Sequence, residues 1–129
     1  MELLIAVSLF SFGMLSVIQI FPINRRYLTQ SAQTTQAAFL AQEQMEIIRE
    51  LPYSSITTGT FEARHTVGTG TSDPLNQFER QTVVSFVDSS NDWAASGSDT
   101  GLKKIDVTVY WLERTINRQY GLSTYVSEK

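Results

Sequence analysis

Apolar positions follow three different patterns along this chain of 129 residues. Residues 1–22 form an almost continuous apolar run, in which Glu2 is the one charged side chain. Residues 24–51 repeat apolar side chains at three- and four-residue steps, whereas residues 78–126 contain segments in which apolar and polar side chains alternate. A change from continuous to helical to strand periodicity predicts an α+β fold.

The apolar run predicts a transmembrane helix over residues 1–23. Residues 3–20, at a rise of 1.5 Å each, come close to the roughly 30 Å of a bilayer's hydrocarbon core. Small residues interrupt the run and permit close helix approach, so we expect helical neighbours. Pro22 lacks an amide hydrogen and crowds the preceding turn, which predicts a weak point in the helix between Gly13 and Pro22.

Residues 24–51 predict an amphipathic continuation of this helix. Ala37, Ala41, Met45 and Ile48 fall on one face, and charged side chains occupy the other face. Leu40, Ile47 and Leu51 are expected to widen the apolar face. Pro52 disfavours a helical conformation in the residue before it, so the helix is expected to end at Leu51.

The remaining sequence predicts a connecting loop over residues 52–77 and an antiparallel sheet over residues 78–129. Residues 60–67 of the loop are compatible with a short extended segment. Strands are expected at residues 78–88, 105–111 and 118–126, because β-branched and aromatic side chains are frequent there and alternate with polar ones. Three strands joined by reversals form a meander, and the amphipathic helix would cover its apolar face.

Composition excludes several classes of function. The net charge is -3 and the basic residues after Pro52 are scattered, which disfavours direct nucleic-acid binding. The chain has no cysteine, and therefore no disulfide and no thiolate metal site. His65 is the single histidine and no Gly-x-Ser-x-Gly motif is present, so we expect a solvated histidine, no cofactor and no enzymatic activity.

One acidic loop invites a calcium interpretation, but its spacing matches no EF-hand pattern. The loop carries Asp88, Asn91, Asp92 and Asp99. A solvated loop without a metal is the expectation. Trp93 lies in the same loop and is expected to pack onto the sheet rather than to contact a partner.

Three stretches together indicate a family. The chain begins Met-Glu-Leu-Leu-Ile-Ala-Val, continues with Ala-Phe-Leu-Ala-Gln-Glu-Gln-Met-Glu at residues 38–46, and has Val-Thr-Val-Tyr-Trp at residues 107–111. It resembles the type IV pilins and type II secretion pseudopilins, and most of all the minor pilins. Their processed chains typically begin F-T-L-(I/M)-E-L-L-I-A-V, which this chain matches from the fourth residue.

The resemblance implies a pilin fold, in which a long N-terminal transmembrane and amphipathic helix packs on a small antiparallel meander. It implies that Glu2 pairs with the N-terminal amine of an adjacent subunit, and that Pro22 also belongs to the assembly site. The helix that it implies for the filament core includes Leu3, Leu4, Ile5, Val7, Phe10, Gly13, Leu15 and Ile18.

The sequence departs from the family at three points. The leader peptide, the cleavage-site glycine and the first three mature residues have no counterpart, so either the chain as written starts late or Met1 was assigned as a start in error. Pro22 lies about three residues later, relative to Glu2, than the family's usual proline. No cysteine pair brackets a C-terminal loop.

The expected function is that of a structural subunit of a type IV pilus or related filament. A minor pilin or a pseudopilin of a type II secretion system is the alternative, and a monomeric membrane-anchored binding domain is a third interpretation. Expected partners are copies of the chain or other pilins, inner-membrane assembly machinery and, before assembly, membrane lipid. The expected location is the bacterial inner membrane, followed by an extracellular or periplasmic filament.

Overall fold

The computed structural model describes the backbone of residues 2–128 and the side chains of residues 2–17 and 27–128. Helix α1 runs over Glu2–Arg49, and 3₁₀ turns lie at Tyr53–Ser55 and Pro74–Gln77. The strands in the described residues are β1 Gly59–Thr66, β2 Phe78–Asp88, β3 Ala94–Ser96, β4 Leu102–Glu113 and β5 Ile116–Ser127. The chain divides into two compact units, Met1–Gln33 and Thr34–Lys129.

The strands form one antiparallel sheet in the order β1-β2-β4-β5, and β3 pairs with the end of β2. The pairing of β4 with β5 is continuous from Leu102↔Ser127 to Glu113↔Ile116. These two strands are joined by a two-residue turn in which Arg114 has a φ of 59°, as tight hairpins with right-handed strand twist require.

The core of the second unit lies between the sheet and residues 34–49 of α1. Alternate residues of β4 are buried, because successive side chains of a strand point to opposite faces. They meet the helical stripe formed by Ala37, Leu40, Ala41, Met45 and Ile48, in which no residue is more than 5% exposed. The predicted packing face of the helix is confirmed for this stripe, whereas Ile47 and Leu51, which were expected to widen it, are 51% and 36% exposed. The predicted strands at residues 78–88, 105–111 and 118–126 are confirmed.

A buried lysine extends the same alternation to the start of β4. Lys103 is 5% exposed, and its ammonium donates hydrogen bonds to the carbonyl oxygens of Tyr53 at 2.9 Å and Ile56 at 2.7 Å. The ammonium also lies 3.8 Å from the centroid of the Tyr53 ring. These contacts fix the 3₁₀ turn after α1 against the sheet and satisfy a charge that is otherwise expensive to bury.

A second polar cluster joins β1, β2 and α1 within the second unit. The carboxylate of Glu62 accepts hydrogen bonds from Arg80 Nη2 at 3.0 Å and from Thr82 Oγ1 at 2.8 Å, and Arg80 Nη1 donates to the carbonyl of Leu40. Burial alone would raise the pKa of Glu62, but the hydrogen bonds from Arg80 and Thr82 outweigh burial and hold the pKa below its ordinary value.

The predicted fold class is wrong, because it included a transmembrane helix. Among the described residues, no helix is sufficiently long and apolar to cross a membrane.

The sheet also differs from the predicted meander of three strands. Strand β1 lies inside residues 52–77, which were expected to form a loop with a possible extended segment, and β3 is a further short strand. Most residues of β1 are exposed, so its sequence GTFEARHT lacks the apolar alternation by which strands are recognised.

Candidate assembly surface

Residues 2–17 of α1, called here the assembly helix, expose an unusual amount of apolar surface. Ten of its large apolar side chains are between 55% and 76% exposed. They are Leu3, Leu4, Ile5, Val7, Leu9, Phe10, Phe12, Met14, Leu15 and Val17. Exposed apolar patches of this kind indicate an interaction site.

Apolar side chains occur on every side of the assembly helix. Successive residues of an α-helix turn by about 100°, so a nearly continuous apolar sequence leaves no polar face. A helix that is apolar all round is normally buried all round. A single partner packed on one side would therefore leave apolar surface exposed on the others.

The few polar side chains of the assembly helix do not require water. The hydroxyls of Ser8, Ser11 and Ser16 donate to the carbonyl oxygens four residues earlier, at distances of 2.8, 2.8 and 2.9 Å. A hydroxyl bonded inside its own helix avoids the desolvation penalty of an unpaired polar group. These serines are therefore compatible with an apolar environment.

The free energy gained by burying these apolar side chains shows how strongly the assembly helix favours an apolar neighbour over water. Fully burying one large apolar side chain is worth about 1.5–3 kcal/mol, so ten side chains with roughly two thirds of their surface exposed represent on the order of 10–20 kcal/mol. This sum is an upper bound, and it is larger than the free energy of unfolding of many whole domains, about 5–15 kcal/mol. Contact with another apolar surface is thus strongly favoured.

Glu2 lies in the first turn of the helix, where its carboxylate faces the positive end of the helix dipole. It is exposed. The side chains predicted for the filament core are exposed on the same helix, namely Leu3, Leu4, Ile5, Val7, Phe10 and Leu15. An added Cβ on Gly13 would meet nothing within 4 Å. The side chains of Ile18 and Pro22 lie outside the described residues, and the weak point predicted between Gly13 and Pro22 stays a prediction.

Four residues of the assembly surface were absent from the predicted set. Leu9, Phe12, Met14 and Val17 are as exposed as the predicted residues. Their sequence signal was the absence of any polar face, which makes every large apolar residue of the segment equivalent.

A polar cleft of about 560 Å³ lies on the face of the sheet that is turned away from the core. Arg64 stacks over the Tyr110 ring at 4.2 Å and pairs with Glu79 at 2.6 Å. Because these opposite charges neutralise each other and are half-exposed, the cleft carries no charge excess that would select a ligand.

Two of the four residues weighed for metal binding, Asp88 and Asp99, have carboxylates that are hydrogen-bonded to the protein. Asp88 accepts from the amide and hydroxyl of Ser90, and these bonds lower its pKa. Asp99 accepts from the Tyr53 hydroxyl at 2.6 Å. The described part of the chain contains no group of three or more side chains arranged to hold a metal ion.

Two other singled-out residues lie at the surface of the second unit. Trp93 is 50% exposed, and its ring centroid lies 4.9 Å from that of Tyr125 on β5, so the expected contact with the sheet is present. His65 lies on β1, where Nδ1 is 3.0 Å from the carbonyl oxygen of Ala63 and Nε2 is 3.5 Å from the Glu62 carboxylate.

No protein-family model, curated protein or solved structure matches the chain. The assignment of a function therefore depends on the chemistry of the residues themselves.

Proposed function

We propose that the chain is a structural subunit of a type IV pilus or related filament, assembled through the assembly helix. The observation that carries the proposal is the exposure of ten large apolar side chains on all sides of one helix. Several copies packed around each helix cover all sides, and head-to-tail contacts that do not close give a filament.

Two further features support an apolar, helix-lined environment. The serine hydroxyls are bonded within the helix, and Gly13 allows a neighbouring backbone to approach closely, since an added Cβ there meets nothing. The resemblance of residues 1–7 to the first residues of type IV pilins adds the role of Glu2, whose carboxylate pairs with the N-terminal amine of a neighbour. Before assembly, inner-membrane lipid and assembly machinery are the proposed partners, and the filament is extracellular or periplasmic.

The test is incorporation into surface filaments. Phe12→Lys places an ammonium among apolar neighbours, where an unpaired charge costs several kcal/mol, so the chain should be absent from sheared filaments. Leu112→Lys is the matched control, because Leu112 is a similarly exposed apolar side chain, at 55%, in the sheet. Both variants are quantified in filament and whole-cell fractions by mass spectrometry.

Equal incorporation of the two variants would contradict the proposal. A second variant, Glu2→Ala, distinguishes a filament subunit from a monomeric anchored domain. The substitution should stop the assembly of a filament subunit, whereas a monomeric anchored domain should tolerate it. The abundance of the unmodified chain in the same filaments distinguishes a major subunit from a minor pilin or pseudopilin.

A further inference from the structure

The two edges of the sheet are built differently. One edge consists of β1 and the short β3, and the pairing of β1 is interrupted by register shifts between Thr60 and Glu62 and between Glu62 and His65. Bulges, short strands and charged side chains are devices that prevent edge-to-edge association. This edge is therefore protected.

The other edge is strand β5, which has none of the features that protect the first edge, such as bulges or a short length. Its sequence INRQYGLSTYVS has no proline and no lysine, and its register against β4 is unbroken over all twelve residues. The one charged side chain, Arg118, pairs with Glu113 of β4 at 2.9 Å. A long, regular and nearly uncharged edge is a template for a further strand.

The odd-numbered residues of β5 direct their backbone groups toward this free edge. The amide of Glu128 donates to the carbonyl of Gly101, so these two residues form a hydrogen-bonded pair just beyond the end of the strands. Hydrogen-bonded pairs alternate along an antiparallel ladder, so the even-numbered residues of β5 bond to β4 and the odd-numbered residues face away from it. The unpaired set consists of Asn117, Gln119, Gly121, Ser123, Tyr125 and Ser127.

We infer that β5 pairs with β5 of a second copy of this chain, antiparallel and centred on Leu122. This register places Gly121 opposite Ser123, Gln119 opposite Tyr125 and Asn117 opposite Ser127. All outward-facing residues are then paired, and each of the three pairs, formed twice across the axis, exchanges two hydrogen bonds.

The side chains fit the same register. Tyr120, Leu122 and Val126 lie on the core face of β5 and are only partly buried. Leu122 meets Leu122 of the second copy and Tyr120 meets Thr124, so the apolar row continues across the pair. Arg118 faces Val126 rather than another charge. The same side of both sheets carries the helix, because the two-fold axis is perpendicular to the sheet.

This self-complementarity favours a second copy over a foreign strand. The pairing is independent of the assembly helix, and it relates two chains that point in opposite directions, which a filament of equally oriented subunits does not contain. It therefore concerns unassembled chains or contacts between filaments.

Disulfide trapping tests the register, because the natural chain has no cysteine. Opposed residues of a non-hydrogen-bonded pair have Cα atoms about 4.5 Å apart, within the range that a disulfide spans. Leu122→Cys should therefore give a covalent dimer on oxidation. Gln119→Cys is the control, since its two copies would be about 20 Å apart, six positions along the strand. The full chain is used in detergent micelles, which cover the assembly helix.

The expected result is about tenfold more dimer from Leu122→Cys than from Gln119→Cys. Equal yields, or none from either variant, would overturn the inference. In a second arm, Gly121→Pro removes an outward amide and should abolish the Leu122→Cys dimer, whereas Gly121→Ala, whose Cβ meets nothing within 4 Å, should keep it. A dimer that survives Gly121→Pro in a folded chain also contradicts edge pairing. Filament incorporation of Phe12→Lys is a separate readout, so either proposal can fail alone.

Discussion

Replacing Glu62 by alanine should destabilise the second unit far more than replacing Glu79, although each glutamate pairs with an arginine of the sheet. The side chains of Glu62 and Arg80 are 17% and 11% exposed, whereas those of Glu79 and Arg64 are 42% and 52% exposed. Breaking a fully buried pair leaves an uncompensated charge and costs about 3–5 kcal/mol, so we expect a loss near the lower end of this range for the largely buried Glu62–Arg80 pair. Breaking an exposed pair costs less than about 1 kcal/mol.

Urea denaturation followed by tryptophan fluorescence measures this difference, because Trp111 is only 6% exposed in the folded chain. The free energy of unfolding is obtained by linear extrapolation for the parent, Glu62→Ala and Glu79→Ala. Similar losses in the two variants would refute the assignment of Glu62 and Arg80 as a largely buried, stabilising pair.

The pH dependence gives an independent sign. The folded-state pKa of Glu62 is lower than the ordinary value of 4.5, so the unfolded chain binds the proton more tightly. The stabilisation by Glu62 is present above about pH 4.5 and is lost as the pH falls through the folded-state pKa. The stability difference between the parent and Glu62→Gln should therefore narrow below pH 4.5, and a constant difference would contradict the argument.

Two further pairs of variants test the packing of the second unit by the same denaturation assay. Ile48→Ala should lower the free energy of unfolding by about 2–5 kcal/mol, because the side chain is fully buried and its loss leaves a cavity. Ile47→Ala, at a residue 51% exposed, should lower it by less than about 1 kcal/mol. Equal losses would mean that the helix presents a different face to the sheet. Gly68→Ala should destabilise by about 1–3 kcal/mol, since the new Cβ overlaps Asn76, whereas Gly70→Ala meets no atom within 4 Å and should change stability little; a neutral Gly68→Ala would show that this loop adapts freely.

Sequence periodicity identified the elements that are buried on one face. The alternation of residues 105–111 and the helical stripe through Ala37 and Ile48 are direct consequences of burial against each other. Strand β1 was predicted only as a possible extended segment within a loop, because an exposed edge strand has no clear apolar face to repeat. Lys103 shares the period of β4, but a lysine is normally read as solvent-exposed, and only the nearby carbonyl groups explain its burial.

The candidate assembly surface was only partly predictable. An apolar run of this length fits either lipid or protein neighbours, so the sequence favoured a membrane span that the described residues do not support. The role of Glu2 remains a prediction, because it depends on a neighbouring chain. The contrast between the two sheet edges could not be read from sequence at all, since it arises from strand order and register.

Single-cysteine labelling of filaments tests whether copies of the chain surround the assembly helix on all sides. Ser8, Leu9, Phe10 and Ser11 are consecutive, so their side chains point in four directions around the helix. Each is replaced by cysteine in turn, and maleimide labelling is compared between intact filaments and chains dissociated in detergent, with Ser89→Cys in an exposed turn as the reactive control. We predict that all four positions are protected in filaments and become reactive on dissociation. Rapid labelling of one or two positions in intact filaments would show that the helix is covered on one side only, and assembly around all sides of the helix would then be excluded.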